Sequence, residues 1–84
     1  MSDLSGNVLV HTSTSYWSGE VVSCDGLWLK LRKAAWIADT GRYGTAMLAG
    51  LFNEVEPVPG EVSIFLCPGV VVVEFPHSLP RVQK

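Results

Sequence analysis

The alternation of apolar and polar residues along this chain is typical of short β-strands. In residues 7–12 (NVLVHT), Val8 and Val10 point to one face of the strand and Leu9 points to the other, so both faces are partly apolar. Residues 16–23 and 27–32 flank Asp25-Gly26, a pair that tolerates positive φ and favours a two-residue hairpin turn. The pattern therefore predicts one strand followed by a β-hairpin.

The register of that hairpin predicts one buried and one exposed face, because cross-strand partners point the same way. On the exposed face, Trp28, Lys30 and Arg32 form an aromatic and basic stripe. This stripe is a candidate binding surface or subunit contact, or it only solubilises the open face of a sheet. The expected core face consists of three cross-strand pairs, which are Cys24 with Leu27, Val22 with Leu29 and Glu20 with Leu31.

After the hairpin, residues 34–38 remain extended up to Asp39, and a short helix is predicted over about residues 41–49. Asp39 or Thr40 can cap its first turn, and Gly50 suits its C-terminal end because glycine readily adopts positive φ. Two turns are too short for an independent helix, so we expect it to cover one open end of the sheet.

The C-terminal part of the chain predicts further strands. Residues 53–58 (NEVEPV) are typical of a short edge strand. Residues 61–66 and 70–75 flank a Cys-Pro-Gly sequence that suits a type II turn, and they are predicted to form a second hairpin. The tail, residues 76–84, contains two prolines and should lie along the surface or reach toward a neighbouring molecule.

The valine-rich segment Val70–Phe75 predicts self-association. Its apolar residues are consecutive, so both faces need cover, one from the domain core and the other from another subunit. An 84-residue chain buries only about 60–65% of its unfolded surface. Yet 48% of the residues are hydrophobic and the mean hydropathy is +0.29, more apolar than its own core needs. We expect a homo-oligomer formed through this segment and the stripe.

Taken together, these elements predict one mainly-β domain over residues 1–84. We expect a small, strongly bent antiparallel sheet or an SH3/Sm-like barrel, with five or six strands and one short helix.

The charge balance excludes some classes of partner. Six Lys and Arg residues against eight Asp and Glu residues give a formal net charge of −2, so nucleic-acid binding is disfavoured and no membrane partner is expected. The chain has no secretory signal and no apolar run of about 18 residues that could span a bilayer. We expect a cytoplasmic protein.

The cysteines and histidines give no metal signature. The spacing of Cys24, Cys67, His11 and His77 matches no zinc finger or ribbon. We interpret both cysteines as buried, small apolar residues, and we expect no metal or cofactor.

One short motif carries an enzymatic alternative. Asp39, Thr40 and Gly41 spell the Asp-Thr-Gly of retroviral-type aspartic proteases, in which a dimer brings two carboxylates about 3 Å apart around one proton. Arg42 stands where those enzymes usually have a small residue, and a buried cation there favours ionised carboxylates. The glycine-rich flap and the later bracing segment are also missing, and no other catalytic motif is present. We therefore predict a protein that is not an enzyme.

The same region has the parts of a nucleotide pocket. Arg42 can bind a phosphate in bidentate geometry, and the start of a helix favours an anion. Asp39 can accept hydrogen bonds from ribose hydroxyls, and Trp36 and Tyr43 can stack on a base. The ordinary alternative is that Asp39 caps the helix, Arg42 pairs with Asp39 or Glu54, and Trp36 fills the core. The candidate ligand-binding residues are Trp36, Asp39, Thr40, Arg42 and Tyr43, with Trp28, Lys30 and Arg32 from the stripe.

Five segments, "NVLVHT", "YWSGEVVSCDGLWLKL", "AAWIADTGRY", "NEVEPVPGEV" and "PHSLPR", together resemble a group of small proteins encoded by tailed bacteriophages and prophages. That group has no settled activity. The resemblance therefore implies a viral origin and a setting in the host cytoplasm or the virion, and it transfers no site residues.

Three functions are compatible with these expectations. The first is a homo-oligomeric sponge that sequesters a nucleotide-derived host immune signal in pockets between subunits, acting against host defence. The second is a virion accessory protein, such as a capsid cement, decoration or connector protein. The third is an Sm-like nucleic-acid-binding regulator that gathers several copies of the stripe in a ring.

Overall fold

The computed structural model describes residues 5–84, which form one six-stranded antiparallel sheet and one short helix. The strand order is β4-β3-β2-β1-β6, and β5 pairs with the first part of β3. β5 and β6 do not pair with each other, so the sheet is bent but not closed into a barrel. The mainly-β prediction is confirmed in its open, bent form. The elements are β1 Asn7–His11, β2 Tyr16–Asp25, β3 Trp28–Asp39, α1 Tyr43–Ala49, β4 Glu54–Pro57, β5 Val62–Phe65 and β6 Val71–Glu74.

Pairing between the two longest strands, β2 and β3, contains two bulges. Ser18 pairs with Ala35 while Glu20 pairs with Arg32, so β3 has one additional residue at Lys33. Lys33 has a φ of 52°, a left-handed conformation that is uncommon for residues other than glycine. A second bulge adds one residue, Val22, to β2, because Val21 pairs with Leu31 and Ser23 pairs with Lys30. Because side chains alternate with a period of two, each additional residue exchanges the faces of the strand that carries it.

The Lys33 bulge divides β3 between two hydrophobic cores on opposite faces of the sheet. Before the bulge, Leu29 and Leu31 belong to one core, which we call the strand core. After the bulge, Ala35 and Ile37 belong to the other, which we call the helix core because it includes Ala46 of α1. In a regular strand all four odd-numbered residues would face the same way. The strand core consists of Val8, Val10, Leu29, Leu31, Ala34 and Ile64, and the helix core of Leu9, Ala35, Ile37, Ala46, Phe52, Val55 and Phe75.

The predicted register of the first hairpin is wrong. Asp25 pairs with Trp28, so the two-residue turn is Gly26-Leu27, and Leu27 is exposed at its tip. The partner of Cys24 is consequently Leu29, and Glu20 pairs with Arg32 outside the core. The predicted register would have placed the Glu20 carboxylate against Leu31, and burying an unpaired charge is costly.

The second predicted hairpin is also wrong in its pairing. The type II turn is present, because the Val70 amide donates to the Cys67 carbonyl at 3.2 Å and Gly69 has a φ of 96°. The strands on either side of it separate, however, because β5 pairs with β3 and β6 pairs with β1. Ile64 of β5 thereby completes the strand core opposite Leu29.

The tail, residues 76–84, lies across the helix core. His77 donates from Nε2 to the Met47 carbonyl at 2.6 Å, and Leu79 packs against the helix core. The Arg81 guanidinium donates to the Ala34 carbonyl at 2.9 Å, next to the Lys33 bulge. Backbone hydrogen bonds join Lys84 to Val55 of β4. The tail therefore connects the helix, the bulge and an edge strand.

Replacing Lys33 by glycine should stabilise the protein. Glycine adopts positive φ without the steric cost that a side chain imposes, and the lysine side chain contributes nothing to either core. We expect Lys33→Gly to raise the free energy of unfolding by about 0.5–1 kcal/mol in urea denaturation. Lys33→Ala is the matched control and should show no such gain, since alanine retains the strained backbone. A glycine variant less stable than the alanine variant would contradict a left-handed residue at this bulge.

Candidate functional site

The turn between β3 and α1 is held by its own side chains. The Asp39 Oδ1 atom accepts a hydrogen bond from the Gly41 amide at 2.8 Å, and the Thr40 hydroxyl donates to the Gly41 carbonyl at 2.9 Å. Gly41 has a φ of 72°. The N-cap residue of the helix is Arg42, which makes no side-chain capping bond. The prediction that Asp39 or Thr40 caps the helix is therefore wrong, because Asp39 satisfies the amide of the left-handed Gly41 instead.

Arg42 presents an exposed guanidinium at this turn. It lines a cavity of about 280 Å³ between the turn, the helix and Asn53. No carboxylate in residues 5–84 forms an ion pair with it, so the alternative pairing with Asp39 or Glu54 is not observed. The helix has only seven residues, and its dipole adds little to anion binding. Positive charge at this cavity therefore comes from the guanidinium itself.

Trp36 lies on the other side of the sheet from the helix. It pairs with Trp17 on β2, which packs against the strand core, whereas α1 covers the helix core. Within one chain the structure therefore does not bring Trp36 together with Arg42 and Tyr43. The Lys33 bulge causes this separation, because it exchanges the two faces of β3 and so turns Trp36 to the side of the strand core.

Two aromatic residues that the sequence analysis did not select lie beside Tyr43. The rings of His11 and Tyr16 stack in parallel with centroids 4.3 Å apart, and the Tyr16 and Tyr43 centroids are 6.0 Å apart. These three residues, which we call the aromatic row, reach the start of the helix that follows Arg42. The sequence contains a signal for this stacking, because His11 and Tyr16 flank the four-residue loop of a hairpin and pair directly across it.

The stripe of Trp28, Lys30 and Arg32 lies on the exposed face of β3. The Trp28 ring packs against Phe65 with centroids 5.2 Å apart. Both cations of the stripe have carboxylate partners. Lys30 Nζ lies 3.8 Å from Glu61, and Arg32 Nε lies 2.8 Å from Glu20. The stripe is aromatic and exposed, but its positive charges are balanced locally.

The Arg32–Glu20 pair changes the titration of both groups. The hydrogen bond from the Arg32 guanidinium lowers the pKa of the Glu20 carboxyl below its ordinary value, and the same bond raises the pKa of Arg32. Because both side chains are in contact with solvent, the pair contributes little to stability and mainly fixes the orientation of the two groups.

The cysteines differ in exposure. Cys24 is partly buried against the strand core, whereas Cys67 is exposed, contrary to the expectation that both are buried. Cys67 begins the type II turn at the surface, which explains its exposure.

Within residues 5–84, no group of three or more His, Cys, Asp or Glu side chains is placed to hold a metal ion. The single helix in that range is too short to cross a membrane.

Comparisons with protein-family models, curated proteins and solved structures find no match to this chain.

Removing Arg32 should return the Glu20 carboxyl toward its ordinary pKa. In ¹³C NMR titrations we expect the Glu20 midpoint to rise in Arg32→Gln, because the largest cause of the lowered pKa is the Arg32 hydrogen bond. Lys30→Gln is the matched control, since Lys30 pairs with Glu61, and it should leave the Glu20 midpoint unchanged. Equal midpoints in the wild type and Arg32→Gln would contradict this assignment.

Proposed function

We propose that this protein is a non-enzymatic, self-associating binding protein that holds a phosphate-bearing small molecule at Arg42. The observation that carries the proposal is the exposed guanidinium of Arg42 at a concave surface, with no carboxylate partner in residues 5–84. A guanidinium binds phosphate oxygens through two parallel charge-assisted hydrogen bonds. Asp39, at the same turn, keeps one carboxylate oxygen for a ligand hydroxyl, because only Oδ1 bonds to Gly41.

The aromatic row supports a nucleotide as the ligand. Tyr43 follows Arg42 directly, and Tyr16 and His11 extend the aromatic surface away from it on the helix side of the sheet. Stacking of a base on an aromatic side chain contributes about 1–3 kcal/mol and is tolerant of base identity. Trp36, which lies on the opposite face, joins such a site only if a second subunit supplies it. Pockets between subunits are therefore part of the proposal.

Self-association is proposed through the outer edge of β6, with which no strand in residues 5–84 pairs. The Phe75 amide donates to the Asn7 carbonyl at 2.9 Å, and hydrogen-bonded pairs alternate along an antiparallel ladder. The amides of Val72 and Glu74 consequently point away from β1. An edge of this kind, made of consecutive valines, is a template for pairing with another strand.

The resemblance to phage proteins indicates the biological role that we propose for this binding. A homo-oligomer in the host cytoplasm that binds a nucleotide-derived immune signal would lower its free concentration without any chemical step. Such a sponge needs affinity and copy number, and it needs no catalytic group.

A virion accessory function is the second candidate, and exposed apolar side chains favour it. Leu48 is 85% exposed, Leu51 66% and Val82 74%, all near the helix and the tail. Contacts with other structural proteins would cover such residues. An Sm-like nucleic-acid-binding function is less well supported, because Lys30 and Arg32 are already paired with carboxylates.

Replacing Arg42 should weaken ligand binding. We expect native mass spectrometry of wild-type protein from bacteria carrying a nucleotide-signalling defence system to show an oligomer with a retained phosphate-bearing molecule. Arg42→Ala should bind that molecule at least about tenfold more weakly by calorimetry, because it removes a charge-assisted bidentate contact. Lys84→Ala removes the same charge elsewhere and is the matched control.

Full affinity of Arg42→Ala for every phosphate-bearing ligand of the wild type would contradict the Arg42 site. Co-purification of the protein with phage particles, together with no bound nucleotide, would favour the virion function instead.

Proline at position 74 should weaken self-association. Proline has no amide hydrogen, so Glu74→Pro removes an outward donor from β6 and leaves the hydrogen bonds with β1 in place. We expect smaller species than the wild type in sedimentation velocity. Glu74→Ala retains the amide and is the matched control. If Glu74→Pro forms the same oligomer as Glu74→Ala, β6 is not the contact.

A further inference from the structure

A second concave polar surface lies where the tail crosses the Lys33 bulge. It encloses about 320 Å³ and is lined by Asn7, Glu20, Lys33, Ser78, Leu79 and Arg81. Three strands and the tail meet there, since Asn7 is on β1, Glu20 on β2 and Lys33 on β3. Lys33 lies in the middle of β3, whereas Arg42 follows the end of that strand. The two cavities share no lining residue.

The residues of this surface are held in place by contacts of their own. The Arg81 guanidinium is anchored by a hydrogen bond from Nη1 to the Ala34 carbonyl. Its other nitrogen atoms take no part in that bond. The Asn7 side chain donates to the His77 carbonyl at 3.0 Å and so fixes the tail immediately before Ser78. Arg81 and Ser78 therefore approach the bulge from the tail in a defined position.

Lys33 occupies a backbone conformation that suits glycine better. Strained residues persist where the surrounding structure determines them, and they are frequent at binding sites. Lys33 has this left-handed φ and is exposed, and it lines the same cavity as the anchored Arg81. A glycine at this position would form the same bulge without strain but would supply no charge.

The local charge is positive although the chain as a whole is acidic. No carboxylate in residues 5–84 forms an ion pair with Lys33 or Arg81. Glu20 is the one acidic group among the lining residues, and its carboxylate bonds to Arg32. The lowered pKa of Glu20 has that bond as its main cause, with Lys33 only a minor contributor. Lys33 and Arg81 thus contribute two positive charges to this surface, against the single negative charge of Glu20, which is bonded to Arg32.

We infer that Lys33, Arg81 and Ser78 form a second anion-binding site, which takes a phosphate group. The ammonium and the guanidinium provide charge-assisted donors, and the Ser78 hydroxyl provides a neutral one. The site is separate from Arg42 and does not require a second subunit.

The test is a titration of the full chain with inorganic phosphate, followed by ¹H–¹⁵N NMR at constant ionic strength. We expect saturable shifts of the Lys33, Ala34, Ser78 and Arg81 signals. Lys33→Gly and Arg81→Gln should each weaken this binding about tenfold or more, because each removes a charge-assisted donor. Lys33→Gly retains the bulge, so its loss of binding cannot be attributed to unfolding. Arg42→Ala should leave these shifts unchanged.

Three results would overturn the inference. They are the absence of saturable shifts at these residues, identical shifts when chloride replaces phosphate, and unaltered phosphate affinity of Lys33→Gly. Shifts that disappear in Arg42→Ala but persist in Lys33→Gly would assign phosphate binding to Arg42 alone, which overturns this site and leaves the proposed function intact.

Discussion

The additional residue at Lys33 in β3 is the constraint on which the rest of this structure depends. One strand serves two hydrophobic cores, and in a regular strand of twelve residues the odd-numbered Leu29, Leu31, Ala35 and Ile37 would all face the same core. The bulge exchanges the faces in mid-strand, so that Leu31 and Ile37 are buried on opposite sides of the sheet. A chain of this size thereby buries apolar surface on both sides of a single bent sheet.

The same constraint determines the surface chemistry. It places Trp36 on the face away from the helix, and it leaves Arg42 and Tyr43 with the aromatic row on the other face. It also brings Lys33 beside the tail, where Arg81 is anchored to the carbonyl of the residue that follows the bulge. The bulge thus links the packing of the two cores to the position of the exposed cations.

Overall composition conceals how the charges of this protein are distributed. The formal net charge is −2, which gives no general attraction for polyanions. Lys30 and Arg32 are paired with carboxylates, whereas Lys33, Arg42 and Arg81 form no ion pair within residues 5–84. Unpaired cations at two separate concave surfaces suit small anionic ligands better than an extended nucleic acid, which requires a continuous basic surface.

The sequence alone determined the features that depend on neighbouring residues: the strand-rich class, the short helix before Gly50, the type II turn at Pro68-Gly69 and the exposure of the stripe. Only the tertiary structure decided the register of the first hairpin, the partners of β5 and β6, and the separation of Trp36 from Arg42. The face on which Trp36 lies depends on the Lys33 bulge, whose left-handed position is occupied by a lysine and not by a glycine. Its conformation is favourable only when burial of both cores compensates its strain, and that energy comes from residues far apart in the chain.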